Sequence, residues 1–303
     1  MIDISIVIPC FNSLDFIEEA VASACRQKIE NLEVIVIDNA STDGTRQKLR
    51  EMNCDYDFKL ILNEENIGAI GNFNKGIELA SGTYIKFLES DDILQADCLE
   101  TMRSFLTDSV QFVSGAKFLI DEHSTIIGCH DVDTRLVQGC DVLKEFRKTG
   151  NIIGTPSDCL VSKELLLKVG GFSKRYGSYL NDVDVWLKIC HENAHVQFIS
   201  KRVCSVRRHS GQIGVTGGNS LEDIKVAFSM LSEPYFKQQR SQMEIHFAAA
   251  YFYRALRELV KGKPDKVIGT LKIIISQMGV NVFFMILYMP IYVQLLLKSK
   301  KKK

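Results

Sequence analysis

Three acidic residues stand directly after an apolar segment of this sequence, where they could do metal chemistry. Asp91 and Asp92 follow the run 84–88, and Glu89 stands two positions before Asp91. Hard divalent cations such as Mg²⁺ and Mn²⁺ prefer oxygen ligands, and a metal that bridges diphosphate oxygens commonly uses one or two protein carboxylates. The spacing fits a metal–diphosphate site. A solvated turn, or an N-cap for a helix near 95–105, would explain the same residues.

A second carboxylate, Asp38, ends the apolar segment 32–37. A carboxylate at this place can accept a hydrogen bond from the ring N–H of a pyrimidine or a guanine. Capping of the helix that opens near Asp43 is the alternative role. Because capping does not explain why two neighbouring strands should both end in acids, the pair favours a shared crevice.

The glycines of segment 63–76 form the third feature. Gly68 and Gly71 permit a close approach of the backbone, and a helix N-terminus that opens there would favour a phosphate group. Tight packing of a helix on a sheet explains the same glycines equally well.

The elements that must position these residues are alternating strands and helices. Short β-branched runs at 4–8, 32–37, 59–62 and 83–88 alternate with helical patterns at 14–27, 43–51 and 69–80. This alternation predicts an α/β fold built from βαβ units with a mostly parallel sheet. The ligand crevice of such a sheet lies outside the carboxyl ends of its strands, where the polar clusters stand.

The rest of the chain predicts a mixed region followed by helices. Strands are expected near 110–119 and 195–207, and helices near 139–148, 163–169 and 182–193. After 219 the pattern is helical, with helices expected at 236–261 and 267–278. We therefore expect one domain over 1–215 and a helical region over 216–303.

Composition excludes several classes of protein. The 303 residues carry 37 basic and 37 acidic groups, so the chain lacks the basic field that non-specific nucleic-acid binding requires. Nine cysteines without a C-x-x-C pair suit a reducing compartment, and the N-terminus lacks a secretory signal. The segment 9–12 after the first strand is not a G-x-G-x-x-G loop, and no P-loop motif is present, which disfavours dehydrogenases and P-loop NTPases.

Taken together, these motifs resemble those of family 2 glycosyltransferases with the GT-A fold, a Rossmann-like βαβ domain. The resemblance spans residues 3 to about 212, with the motifs in family order. The matching segments are 4–12 (ISIVIPCFN), 36–45 (VIDNASTDGT), 66–72 (NIGAIGN), 80–92 (ASGTYIKFLESDD), 170–172 (GGF), 181–186 (NDVDVW) and 207–209 (RRH).

The resemblance implies an inverting, single-displacement transfer of a sugar from a nucleotide diphosphate to an acceptor hydroxyl. It implies a divalent metal, Mn²⁺ or Mg²⁺, held by Asp92 and Asp91, with Glu89 and His209 as further candidate ligands. Glu89 stands where the family has the first acid of its D-x-D motif, which leaves its role open. The nucleotide sugar would be bound by Pro9, Asn12, Asp38, Asn39, Asn66, Gly68, Asn72, Asp91 and Trp186.

Asp182 matches the position of the family's catalytic base, although Asn181 replaces the usual preceding acid. Such a base takes the proton of the acceptor hydroxyl, and Asp184 is the alternative base. Helix capping by Asp182 and a core role for Trp186 are the structural alternatives. His209 could neutralise charge near the diphosphate or be a hydrogen-bonded structural residue.

The segment 279–297 is nineteen residues long without a charge and precedes a lysine cluster in which five of the last six residues are lysine. Its length suits a membrane-spanning helix. A catalytic domain and a lysine tail on the same, cytoplasmic side argue instead for an in-plane or re-entrant docking element. A buried helix is the third possibility.

The sequence thus predicts a metal-dependent glycosyltransferase, peripheral on the inner face of the plasma membrane. Its acceptor would be a glycan or a lipid-linked molecule of cell-surface polysaccharide synthesis. The sugar, the nucleotide base and the linkage are left open. A non-catalytic nucleotide-sugar-binding scaffold and a sugar-phosphate nucleotidyltransferase are the alternative functions.

Overall fold

A computed structural model of the chain describes residues 3–149, 151–176 and 180–210, together with the isolated positions 229, 233–234, 270, 272–274 and 276. The chain divides into two units, Met1–Val215 and Thr216–Lys303. The first unit carries every polar cluster named above. The predicted helices 236–261 and 267–278 fall mostly outside the described residues, and the apolar segment 279–297 falls entirely outside them.

The first half of the large unit alternates strands and helices as predicted. Its elements are β1 (Ile4–Cys10), α1 (Ile17–Cys25), β2 (Leu32–Asp38), α2 (Thr45–Met52), β3 (Lys59–Leu62), α3 (Gly68–Leu79), β4 (Tyr84–Phe87), β5 (Ile93–Leu94) and α4 (Cys98–Arg103).

The second half of the unit combines longer strands with short ones. Its elements are β6 (Phe112–Ile120), β7 (Ile126–His130), β8 (Arg135–Gln138), α5 (Gly139–Thr149), β9 (Cys159–Ser162), α6 (Lys163–Lys168), α7 (Asn181–His191) and β10 (His195–Arg207). Two short 3-10 turns, Pro156–Asp158 and Lys174–Tyr176, precede β9 and α7.

One mixed sheet runs through the unit in the order β3-β2-β1-β4-β9-β6-β10-β5. β3, β2, β1 and β4 are mutually parallel, which confirms the predicted parallel α/β architecture of this half. β9 then pairs antiparallel with both β4 and β6, while β6 and β10 are parallel. β7 and β8 add antiparallel pairs to β6 and β10.

Helices cover both faces of this sheet, which explains why its central strands are apolar on both sides. β1 is buried along its whole length. Alternate residues of β1 and β2 enter two separate cores: Ile6 packs on the face covered by α1, α2 and α4, and Val7 packs on the face covered by α3 and α7. Strands covered on both faces are near-continuous hydrophobic runs.

Close packing of α3 on β1 depends on a glycine. A Cβ atom at Gly76 would lie 2.3 Å from Cγ1 of Val7, so no larger residue fits without displacing the helix. Gly68 is different: it adopts a φ of +79° at the start of α3, and a Cβ there would meet nothing within 4 Å. Tight helix–sheet packing is therefore the role of Gly76 and not of Gly68.

Candidate functional site

The carboxyl ends of β1, β2 and β4 meet at one edge of the sheet. Cys10 at the end of β1 is in register with Asp38 at the end of β2. Leu88, just after β4, donates its backbone N–H to the carbonyl of Val7 at 3.0 Å. The parallel pairing therefore places Asp38 and the acids 89–92 at the same edge, as the sequence predicts.

Asp38 is fully buried, and its two carboxylate oxygens differ. Oδ2 accepts from Nε of Arg46 at 2.8 Å and from the backbone N–H of Ser41 at 3.3 Å. Among the described residues Oδ1 has no hydrogen-bond partner. One oxygen is thus held by the protein, and the other remains able to accept a hydrogen bond from a ligand.

Asn12 joins the loop after β1 to the loop after β2. Its backbone N–H donates to Oγ of Ser41 at 2.9 Å, and its Oδ1 accepts the backbone N–H of Thr42 at 2.9 Å. Asn12 holds a φ of 50°, a left-handed conformation that asparagine adopts more readily than most residues. Asn12 therefore fixes the two loops that flank Asp38.

A network of four asparagines, of which Asn39, Asn63 and Asn72 are buried and Asn66 is exposed, lies beside Asp38. Oδ1 of Asn39 accepts from Nδ2 of Asn63 at 2.9 Å, while Nδ2 of Asn39 donates to Oδ1 of Asn66 at 2.8 Å. Nδ2 of Asn63 also donates to Oδ1 of Asn72 at 3.1 Å, and Nζ of Lys75 donates to Oδ1 of Asn63 at 2.7 Å. Three of the predicted nucleotide-sugar-binding residues therefore hold the loops after β2 and β3 in place through one another.

The acids after β4 form an electrostatically coupled group with the start of α7. Proximity to Asp92, Asp91 and Asp182 adds to the effect of burial, and together they raise the pKa of Glu89 well above its usual value. Burial and the neighbouring Asp91 raise the pKa of Asp92 to about 8. Like charges packed this closely favour an added cation or proton.

Asp91 and Asp92 differ in access to solvent. Asp92 is fully buried; its Oδ1 accepts the backbone N–H of Arg207 at 2.9 Å, and within the described part of the chain its Oδ2 has no partner. Asp91 retains partial exposure, and its Oδ2 lies 3.0 Å from Nε2 of His209. The structure thus brings two of the predicted metal ligands, Asp91 and His209, into direct contact.

Arg207 is the residue that anchors this corner. Its side chain is almost fully buried, with Nε donating to the backbone carbonyl of Asp91 at 2.8 Å and Nη2 to Oε2 of Glu19 at 2.6 Å. Its guanidinium also lies over the ring of Phe16, 4.7 Å from the centroid. Arg207 therefore ties α1 and the end of β10 to the loop that carries Asp91.

Asp182 lies in the first turn of α7, half-buried, and its Oδ1 accepts the backbone N–H of Val183 at 2.8 Å. Removal from water raises the pKa of Asp182 to about 6. A carboxyl group with a pKa this close to neutrality is suited to accept a proton during catalysis. Asp182 also lies near enough to Glu89 for its charge to contribute to the raised pKa of Glu89.

The structure corrects two predicted site residues. Trp186 is fully buried between Phe112 and Phe172, with ring centroids 5.1 and 6.2 Å away, so it is a core residue and not a nucleotide-sugar contact. Asp184, the alternative base, is fully buried, and its Oδ2 pairs with Nζ of Lys188 at 2.6 Å. A carboxylate neutralised in this way is not accessible to an acceptor hydroxyl.

The predicted divalent metal can be tested against the donor atoms. Over residues 3–149, 151–176 and 180–210, no group of three or more His, Cys, Asp or Glu side chains is placed to hold a metal ion. Asp91 and His209, which are in contact, offer a smaller set of two donors, and the adjacent Asp92 has a buried oxygen, Oδ2, without a partner. Such a set fits an ion that takes its remaining ligands from phosphate and water, as Mg²⁺ commonly does.

Other residues that shape the site were not identified from the sequence. Oγ of Ser157 accepts the backbone N–H of Glu89 at 3.0 Å, and Nζ of Lys86 donates to the carbonyl of Ser157. Next to Ser157, Asp158 forms a buried ion pair with Lys117 at 2.5 Å. A sequence signal for Ser157 and Asp158 is the turn-forming pair Thr155-Pro156 directly before them.

Comparison with protein-family models gives a match over residues 5–170 to the family described as "Glycosyl transferase family 2". Among curated proteins, the GalNAc(5)-diNAcBac-PP-undecaprenol beta-1,3-glucosyltransferase of Campylobacter jejuni is 33% identical over 232 residues, covering 75% of this chain and 72% of that protein. This chain also matches three other curated glycosyltransferases, but over only 42%, 44% and 49% of their length. It therefore spans less than half of each of these relatives.

Solved structures show the same fold. TarS 1-349 of S. aureus in complex with UDP-GlcNAc superposes with a TM-score of 0.67 at 17% identity, covering 92% of this chain and 82% of that one. The mannosyltransferase PcManGT of Pyrobaculum calidifontis, in complex with GDP-Man and Mn²⁺, gives a TM-score of 0.56 at 19% identity, covering 92% and 86%. At these identities the likeness supports the fold alone. Within the described residues, no helix combines the length and the apolar character needed to cross a membrane.

Proposed function

Because this chain belongs to glycosyl transferase family 2, we propose that it transfers a sugar from a nucleotide diphosphate donor to an acceptor hydroxyl with inversion at the anomeric carbon. The observation that carries this proposal is the proximity of Asp182 to the acids after β4: the charges of Asp92, Asp91 and Asp182 add to burial in raising the pKa of Glu89. A candidate cation site after β4 therefore lies close to a candidate base at the start of α7. A donor diphosphate and an acceptor hydroxyl would meet between these two groups.

The nucleoside end of the donor would lie over the ends of β1 and β2. Oδ1 of Asp38 would accept a hydrogen bond from the base, and Asn12 and the amides of Asn39, Asn66 and Asn72 would hold the surrounding loops. Pro9 and Gly68 stand at the same edge, where the backbone is close to any bound nucleotide. The position of these residues at the carboxyl ends of the strands supports this orientation.

Asp182 would act as the general base. It takes the proton of the acceptor hydroxyl while that oxygen attacks the anomeric carbon and the bond to the diphosphate breaks. One base is sufficient for a single displacement, because no covalent sugar–enzyme intermediate has to form. The proton-accepting role is supported by the pKa of about 6, which leaves Asp182 mostly ionised at neutral pH.

Asp91, His209 and Asp92 would hold a divalent cation, with Glu89 beside them. When bound, such an ion offsets the charge that develops on the leaving diphosphate. The protein's own part is to hold the acids at this corner, through the backbone N–H of Arg207 on Asp92 and the guanidinium of Arg207 on the carbonyl of Asp91. The Mn²⁺ named with the Pyrobaculum calidifontis enzyme is consistent with this proposal.

The acceptor would be lipid-linked, and the enzyme would work on the inner face of the membrane in cell-surface glycan synthesis. The Campylobacter jejuni relative is named for a substrate that carries PP-undecaprenol. The apolar segment 279–297 and the lysine tail of this chain have the composition of a membrane-docking element. Flotation of the full chain with vesicles that contain anionic lipid, at low and high salt, would test the docking.

Calorimetry tests the catalytic proposal. UDP, dTDP, GDP, CDP and ADP are titrated into the purified chain with Mn²⁺ or Mg²⁺ and with a chelator. Tight binding of at least one diphosphate that requires the metal is the expected result, followed by turnover of the matching nucleotide sugar. A protein that binds diphosphate but never transfers would be the non-catalytic scaffold, and one that binds none would contradict the donor site.

A further inference from the structure

Arg46 makes two side-chain contacts that have no part in the proposed reaction. It lies in the first turn of α2, where its Nε donates to Oδ2 of Asp38 at 2.8 Å and its Nη2 donates to the carbonyl of Asn63 at 2.5 Å. Its side chain keeps 29% exposure, whereas that of Asp38 has none. The guanidinium therefore clamps a buried carboxylate to the end of β3.

This clamp determines which oxygen of Asp38 remains available. Oδ2 already accepts from Arg46 and from the backbone N–H of Ser41. The backbone around it is held as well, because Asn63 donates its N–H to the carbonyl of Asp38 at 2.9 Å. Oδ1 is buried and has no partner among the described residues, so it is the carboxylate oxygen with unused capacity to accept a hydrogen bond.

We propose that Arg46 is a positioning residue that makes the donor site selective for nucleobases with a ring N–H on their pairing edge. The inference rests on the proposed donor site and deepens it by naming the class of base. In this proposal Arg46 has no contact with the sugar or the diphosphate, because its guanidinium is engaged by Asp38 and Asn63. It acts through Asp38, by occupying Oδ2 and so leaving Oδ1 as the oxygen that can accept a further hydrogen bond.

The selectivity follows from hydrogen-bond chemistry. A carboxylate paired with a guanidinium is an acceptor only, because it carries no proton to donate. Uracil and thymine present N3–H and guanine presents N1–H, whereas the corresponding ring nitrogens of cytosine and adenine carry lone pairs. A lone pair placed against Oδ1 would leave two buried acceptors facing each other, which is unfavourable.

The experiment compares Arg46→Met with Arg50→Met. Both substitutions remove one arginine from α2, but Arg50 is exposed and its side chain does not touch Asp38. Affinities for UDP, dTDP, GDP, CDP and ADP are measured by calorimetry in the presence of Mn²⁺. Wild type is expected to bind one or more of UDP, dTDP and GDP at least about tenfold more tightly than CDP and ADP.

In Arg46→Met, affinity for the preferred diphosphate should fall about 10- to 100-fold, and its preference over CDP should shrink. The preference shrinks because Oδ2 loses its charged partner, so the carboxyl group is no longer held with Oδ1 as its unpaired oxygen. Arg50→Met should behave as wild type. A merely structural role for Arg46 would weaken all five ligands equally and leave their ratios unchanged.

Arg46→Lys covers the case in which the methionine variant does not fold. Lysine keeps the charge but cannot donate to Asp38 and Asn63 as a planar fork. It should lose affinity for the preferred diphosphate and retain the discrimination against CDP. The inference is overturned if wild type binds CDP or ADP as tightly as the others, or if the ratios in Arg46→Met and Arg46→Lys both match wild type. If wild type binds none of the five diphosphates, the proposed function itself fails.

Discussion

Nε2 of His209 lies 3.0 Å from Oδ2 of Asp91, although the two residues are 118 positions apart in the sequence. The antiparallel pairing of β5 with β10 causes this contact: Ile93 is in register with Ser205, so the residues before β5 lie beside those after β10. The imidazole also packs on the ring of Phe16, with centroids 4.8 Å apart. The end of β10 thus completes the acidic corner after β4.

The contact predicts that Asp91 and His209 act as a unit on the metal. Asp91→Asn and His209→Ala should each weaken Mn²⁺-dependent diphosphate binding by about 10- to 100-fold. The double variant should be little worse than either single one, because residues in one network are not additive. Calorimetry measures this, with His123→Ala as the control, since that side chain is 79% exposed. If the losses of affinity were fully additive in the double variant, Asp91 and His209 would act independently on the metal.

Asp182→Asn tests the assignment of the base. The amide keeps the size of the side chain but cannot take the acceptor proton, so the transfer rate should fall about 10²- to 10⁴-fold. Affinity for the nucleoside diphosphate should stay at the wild-type level. Glu192→Gln, an exposed change just beyond the other end of α7, serves as the control. Retained transfer in Asp182→Asn would reject Asp182 as the base.

The pH dependence of transfer should report the same carboxyl group. The pKa of Asp182 is raised to about 6, and only the ionised form accepts a proton. The rate should therefore be constant above pH 7 and fall about tenfold per pH unit below 6, because the ionised fraction falls in that proportion. Rates measured at saturating donor and acceptor check this. If the rate began to fall only near pH ~4, the base would be an exposed carboxylate and not Asp182.

The buried ion pair between Lys117 and Asp158 predicts a large effect on stability. Lys117→Met would leave the charge of Asp158 buried without its cation, and the free energy of unfolding should fall by about 3–5 kcal/mol. Lys144→Met, in an exposed pair with Asp141 at 2.6 Å, should change it by less than about 1 kcal/mol. Urea unfolding measures both. If both variants lost an equally small free energy of unfolding, other groups would stabilise the charge of Asp158 without Lys117.

Much of the fold was predictable because it depends on local pattern. The parallel strands β1 to β4 are apolar runs that alternate with helical patterns, and each appears where this alternation places it. The strands β5, β7, β8 and β9 were not predicted. They have two to five residues and lie outside the regular alternation of strands and helices, and each is defined by pairing with β10, β6 or β4.

The sequence alone determined that acids follow β2 and β4, because the residues at the end of an apolar run are visible in a one-dimensional pattern. Only the tertiary structure decided which oxygen of Asp38 is free, that His209 meets Asp91, and that Trp186 and Asp184 belong to the interior. The reason is physical: burial and hydrogen-bond partners depend on chain segments far apart in sequence. Arg46 has no motif that marks it, and its role follows from the two side-chain contacts that it makes.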